Sequence, residues 1–122
     1  MYFEIQADDP RRAVDFYRQV FGWTITTAGE DLPVPYWRIR FGDQLGGLMP
    51  RPVDAPGPQQ GTNAYVCSFE VDDVDRIAAA VADAGGQVAL PKFAVPGVCW
   101  QGYFLDTEGN TFGVFAPDES AE

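Results

Sequence analysis

Residues 2–9, Tyr2-Phe3-Glu4-Ile5-Gln6-Ala7-Asp8-Asp9, return 64 positions later as Val66-Cys67-Ser68-Phe69-Glu70-Val71-Asp72-Asp73. In each copy apolar residues alternate with more polar ones: Phe3, Ile5 and Ala7 against Tyr2, Glu4 and Gln6, and Cys67, Phe69 and Val71 against Val66, Ser68 and Glu70. A period of two predicts a strand with one packed face and one face toward something more polar. After each Asp pair the period becomes helical. Ala13, Phe16, Tyr17, Val20 and Phe21 fall at i, i+3, i+4, i+7 and i+8, and Ile77, Ala80, Val81 and Ala84 repeat the first four of those places. Asp9 with Pro10 behind it, and Asp72 or Asp73, suit the helix N-cap, while Gly22 and Gly85-Gly86 suit the C-terminal stop.

Working outward from the repeat, each helix is followed by three strand-like stretches, near 23–28, 36–41 and 44–49 in the first half and near 87–94, 99–105 and 111–116 in the second. Gly42-Asp43 and Glu108-Gly109-Asn110 supply turn chemistry between the last two strands of each half. The expected fold is therefore α+β: a first β-α-β-β-β module at 1–49, a second at 63–116 and a tail at 117–122 that should fray. Residues 50–62 read as a semi-rigid linker, because four prolines crowd into its first nine positions. Placed side by side as one structural domain, the modules would make one curved sheet with the helices outside and a concave trough inside.

The chain of 122 residues carries Asp plus Glu 18 against Lys plus Arg 8, a net charge of -10 and no histidine. So acidic a chain has no basic face for nucleic acid and no attraction to an anionic membrane surface. Without histidine, Ser-His and Cys-His triads and every His-based zinc site are excluded. The N-terminus lacks the basic-then-apolar pattern of a signal peptide, and no apolar run reaches the ~18 residues of a membrane span, so a cytoplasmic protein is expected. Cys67 and Cys99 are read as buried, reduced thiols.

The stretches FEIQADDPRRAVDFYRQVFGW, EVDDVDRIAAAVADAGGQV and YFLDTEGNTFGVF resemble the vicinal oxygen chelate superfamily, which holds glyoxalase I, bleomycin-resistance proteins and extradiol dioxygenases. The likeness covers almost the whole chain and is closest to small single-chain glyoxalase-like proteins with a Phe-Gly-Trp after the first helix, here Phe21-Gly22-Trp23. The resemblance implies four metal-ligand positions in the trough, which fall here on Tyr2, Gly47, Val66 and Gly113. None is His or Glu, so no metal and no other cofactor is expected.

The first functional reading is a metal-free pocket for a small molecule, as in the drug-sequestering members that the chain resembles. Its candidate lining is Tyr2, Glu4, Gln6, Leu45, Gly47, Met49, Val66, Ser68, Thr111, Gly113 and Phe115 by strand parity, with Trp37, Trp100 and Tyr103 from neighbouring strands or loops. The two glycines would leave floor space where metalloenzymes place a ligand. The negative charge would favour a cationic ligand and the rings an aromatic one. A second reading is a metal-independent lyase or isomerase acting beside a carbonyl, with Glu4 as general base and Glu70 or Tyr2 as its acid partner. A third is a homodimer that works through association without a ligand.

Overall fold

The first helix begins where the Asp pair places it. In the computed structural model, which describes residues 2–54 and 65–122, the Asp9 side chain accepts a hydrogen bond from the Arg12 N–H at 3.2 Å, and Pro10 opens α1 (Pro10–Phe21). Gly22 ends it in the left-handed region at φ 70°, its N–H returning to the Arg18 carbonyl. Asp73, not Asp72, caps α2 (Val74–Asp83) by accepting from the Arg76 N–H. That helix stops as Gly86 N–H turns back to the Val81 carbonyl at 2.9 Å, which satisfies a carbonyl that has no partner inside the helix.

The strands of the first module are β1 (Phe3–Ala7), β2 (Thr24–Thr27), β3 (Trp37–Phe41) and β4 (Gln44–Pro50), in spatial order β1-β4-β3-β2 with β1 parallel to β4 and the other pairs antiparallel. The second module repeats the plan with β5 (Ser68–Glu70), β6 (Gln87–Val95), β7 (Cys99–Leu105) and β8 (Thr111–Pro117), in order β5-β8-β7-β6. These are the two β-α-β-β-β modules expected from the repeat, each a four-stranded mixed sheet with its helix on one face. The chain divides into compact units at Gly61. Of the linker expected at 50–62, Pro50 belongs to β4 and 55–62 lie outside the described residues, as do residues 63 and 64 of the second module. No helix among the described residues is long and apolar enough to cross a membrane.

Burial follows the periodicities. Ala13, Val14, Phe16, Tyr17 and Val20 of α1 lie against Ile5, Ala7, Ile25, Ile39 and Leu48 of its sheet. Trp23 closes this core from the end, buried, with its ring stacked on Phe41 at 4.5 Å, Phe21 at 4.8 Å and Tyr17 at 5.0 Å. In the second module Val74, Ile77 and Val81 of α2 pack with Phe104, Phe112 and Val114. The β7–β8 turn is organised by buried Asp106, whose carboxylate accepts from the Glu108 and Asn110 backbone N–H groups at 2.8 Å and from the Asn110 amide at 3.0 Å.

Two expectations need correction. The tail does not fray: Ala121 is buried, Gly97 N–H donates to its carbonyl, and Asp118 accepts from Ser120 and from the Trp100 ring N–H. Cys67 is exposed while Cys99 is buried, and both are free thiols. The reason lies in strand length: β5 starts only at Ser68, so the alternation that would turn Cys67 inward has not yet begun. Strand β6 forms an edge of the second sheet, and its pairing with β7 slips between Val88 and Leu90 and again between Leu90 and Phe93.

Candidate functional site: the sheet faces away from the helices

Register converts the sequence into a grid. Directly opposite residues share a face, and Glu4 stands opposite Gly47, Gly47 opposite Arg38, and Arg38 opposite Thr26. One row away, Gln6 faces Met49 on one side and Leu45, Arg40 and Thr24 line up on the other. Tyr2, Glu4, Gln6, Leu45, Gly47 and Met49 therefore do meet on the face of the first sheet away from α1. Trp37 does not join them. It sits opposite fully buried Leu48 and alternates with Arg38, which puts it on the helix side with Ile39.

Tyr36, one residue before β3, is a member of this face that the sequence reading missed. Its hydroxyl donates to Glu4 Oε2 at 2.6 Å and lies 2.8 Å from the Tyr2 hydroxyl. Since Tyr36 has one proton and gives it to Glu4, Tyr2 is the donor of the second bond. The result is a chain, Tyr2 to Tyr36 to Glu4, running across β1 and the start of β3. Burial, then the bonds to Glu4 and Tyr2, push the Tyr36 phenol well above the usual tyrosine range, so it stays neutral and donating at any working pH. A signal for it did exist: Tyr36 shares parity with Arg38 and Arg40.

Gly47 is the reason the phenol fits. A Cβ at this position would run into the Tyr36 hydroxyl and ring and would sit 2.8 Å from the Tyr2 oxygen. The expected floor space is therefore filled by the chain's own phenols. Gly113 behaves likewise in the second module. A Cβ there would collide with Ser68 Oγ and lie 2.9 Å from the Gln101 amide nitrogen and 3.0 Å from the Tyr103 ring.

Ser68 stands opposite Gly113, Tyr103 opposite Gly113 from the other side, and Gln101 opposite Phe115, next to Glu70. Gln101, which sequence reasoning also missed although it lies two residues from Tyr103, donates to Ser68 Oγ at 3.4 Å. Thr111 shares the face through its pairing with Leu105. Trp100 does not. It pairs with Ala116 on the helix side, donates to Asp118 and lies under the Lys92 ammonium at 4.6 Å. Val66, half exposed, precedes β5 and is not among the groups around Gly113.

The residues at the four ligand positions do not fit a metal ion. They offer one phenol, one isopropyl group and two backbone positions whose side-chain space is taken by Tyr36 and by Ser68 with Gln101. Among the described residues no three His, Cys, Asp or Glu side chains converge. Zinc, iron and manganese sites need several such donors.

A concavity of about 310 Å³ opens on the same face of the first sheet, lined by Tyr2, Thr24, Thr26, Arg38, Arg40 and Leu45. Arg38 is paired with Glu30 at 2.9 Å. A second cleft of about 330 Å³ lies in the β2–β3 connection, where Trp37 joins Glu30, Asp31, Leu32, Val34 and Tyr36.

The model of the glyoxalase/bleomycin resistance protein/dioxygenase superfamily matches residues 1–114. The chain belongs to that superfamily. As a superfamily member it is 34% identical over 115 residues to the glyoxylase-like protein CFP32 of Mycobacterium tuberculosis, and 29% identical over 124 residues to the anthracycline biosynthesis protein DnrV of Streptomyces peucetius. These alignments take in 93% of this chain but only 42% and 45% of the relatives, so it spans less than half the length of the curated proteins it matches. A glyoxalase/bleomycin resistance protein/dioxygenase family enzyme from Burkholderia phytofirmans superposes with a TM-score of 0.75 at 19% identity, covering 96% of this chain and 97% of that one. That likeness establishes the superfamily fold; the chemistry depends on the side chains set out above.

Proposed function

We propose that this superfamily member binds a small organic molecule, without a metal ion, in the cleft of its first module. The observation that carries the reading is the Tyr36 phenol held over Gly47 and bonded to Glu4, where a metalloenzyme of the family would need a donor. Tyr2 links this polar floor to the cleft, and the Tyr2 ring with half-exposed Leu45 offers apolar surface to the body of the ligand. The relatives' names, which include a glyoxylase-like and an anthracycline biosynthesis protein, point to small organic molecules.

The test is elemental analysis of protein purified without chelator, joined to thermal unfolding with and without EDTA. Metal well below one equivalent and an unchanged Tm are expected, since a resident metal would add stability by mass action. Stoichiometric zinc, iron or manganese, removed by EDTA with a fall in Tm, would overturn the proposal.

A second reading has an observation of its own. Glu4 is exposed, engaged by Tyr36 through Oε2, and its Oε1 has no protein donor among the described residues, so it is placed to accept a proton from a bound carbonyl compound. Tyr2 lies one hydroxyl away as the acid partner. In this reading the chain speeds deuterium exchange into hydroxyacetone in D₂O, and Glu4→Gln lowers that rate by about 10²-fold or more, the usual scale of a lost general base. Exchange no faster than buffer, or a variant as fast as the native chain, removes Glu4 from any catalytic role.

A further inference from the structure

Two guanidinium groups line the first module's cleft, and they are not equivalent. Arg38 is already committed: it forms an ion pair with Glu30 and lies over the Tyr36 ring at 5.5 Å. Arg40 lines the same cleft, is exposed, and has no ion-pair or hydrogen-bond partner among the described residues. Directly opposite it in the sheet is Thr24, and two residues along is Thr26, opposite Arg38. Both threonines are exposed on this face, alternating with fully buried Ile25, and both line the cleft. Their hydroxyls likewise have no side-chain partner among the described residues. An unpaired planar fork beside two rotatable O–H donors is the donor set that a carboxylate accepts best.

From this arrangement we infer that the ligand of the cleft is a small organic acid, its carboxylate on Arg40 with Thr24 and Thr26, and its apolar or aromatic body over Leu45 and the Tyr2 ring. The inference rests on the small-molecule reading above and reverses the ligand charge that the net charge of -10 suggests. The magnitudes decide in favour of the local group. At physiological salt, charges more than about 8 Å apart are largely screened, so dispersed surface carboxylates contribute little at the cleft. A guanidinium in contact with the ligand is not screened in this way. The carboxylate in contact with Arg38, Glu30, is already neutralised by it. A cleft of about 310 Å³ is at the lower end of small-molecule sites, which suits a compact acid.

The test is an NMR titration of the full chain with three probes of one shape, benzoate, neutral benzamide and cationic benzamidine. Benzoate is expected to shift the backbone amides of Thr24, Thr26, Arg40 and Leu45 saturably, while the other two leave them in place. Arg40→Gln, at an exposed position where the fold is not at stake, should weaken benzoate by about tenfold or more, the worth of one charge-assisted contact. If benzamide or benzamidine moves those amides as strongly as benzoate, or if Arg40→Gln binds benzoate undiminished, the acid specificity is wrong and the small-molecule reading survives. If none of the three moves them, both fall.

Discussion

Replacing Trp23 by alanine is expected to cost the first module about 3–5 kcal/mol, the range for removing a buried large aromatic. Trp23 is only 6% exposed and is the ring on which the others converge: Tyr17 and Phe21 from the end of α1, Phe41 from β3 and Phe3 from β1 at 6.1 Å. Its loss opens a cavity walled by four rings that are themselves fixed by helix and sheet, so little collapse can fill the hole. Gly22 adds to the effect, because its left-handed turn aims the chain so that residue 23 folds back under the helix it has just left. Urea unfolding followed by circular dichroism would read the loss as a fall in midpoint. Trp23→Phe, which keeps the stack, should retain most of the stability. A Trp23→Ala chain within about 1 kcal/mol of native, the size of an ordinary substitution, would show that the stacked rings do not hold the module together.

The second large effect concerns Gly47. Its alanine variant places a methyl group where the Tyr36 hydroxyl now sits, so the phenol must leave and its bonds to Glu4 and Tyr2 go with it. Overpacking of this kind costs about 1–3 kcal/mol. The cause is separable from a backbone effect by a double-mutant cycle: with Tyr36→Ala already in place, Gly47→Ala should be close to neutral. A spectroscopic readout follows as well. Burial and Glu4 hold the native Tyr36 phenol in its neutral form to unusually high pH. In Gly47→Ala the freed phenol should ionise at lower pH, near the ordinary tyrosine value of about 10, and an absorbance titration of phenolate would detect it. If Tyr36 titrates identically in both chains, Gly47 does not control its position.

The scaffold was legible because its signals are local. Asp9 and Asp73 at caps, Gly22 at a left-handed stop and the change from period two to period 3.6 act within a few residues, and each is a direct consequence of backbone hydrogen bonding. Strand register sets Glu4 opposite Gly47 and Ser68 opposite Gly113, each pair on the face of its sheet away from the helix. Legibility failed where the question was which neighbour enters a gap. The absence of a side chain at Gly47 and Gly113 reads as space, yet long polar residues, Tyr36 just before β3 and Gln101 on β7, reach into it. Trp37 and Trp100, expected to line the trough from neighbouring strands or loops, lie instead on the helix side, where Leu48 and Ala116 stand opposite them. The tail is expected to fray as chain ends commonly do, whereas backbone bonds and a single buried alanine are enough to fasten it.

The irregular edge strand β6 bears on the behaviour of the protein at high concentration. Val88, Leu90 and Phe93 are all exposed along it, the composition of a segment prone to recruit foreign strands. A recruited strand, however, needs an unbroken ladder of donors and acceptors in one phase. Pro91 contributes no N–H, and the two slips, one just before Leu90 and one across Pro91, change the phase along the strand. Any outside strand thus finds only a short run of matching groups before the ladder fails. The second module can display apolar side chains at this edge and still resist fibril growth, through the shape of its backbone and without a row of repelling charges.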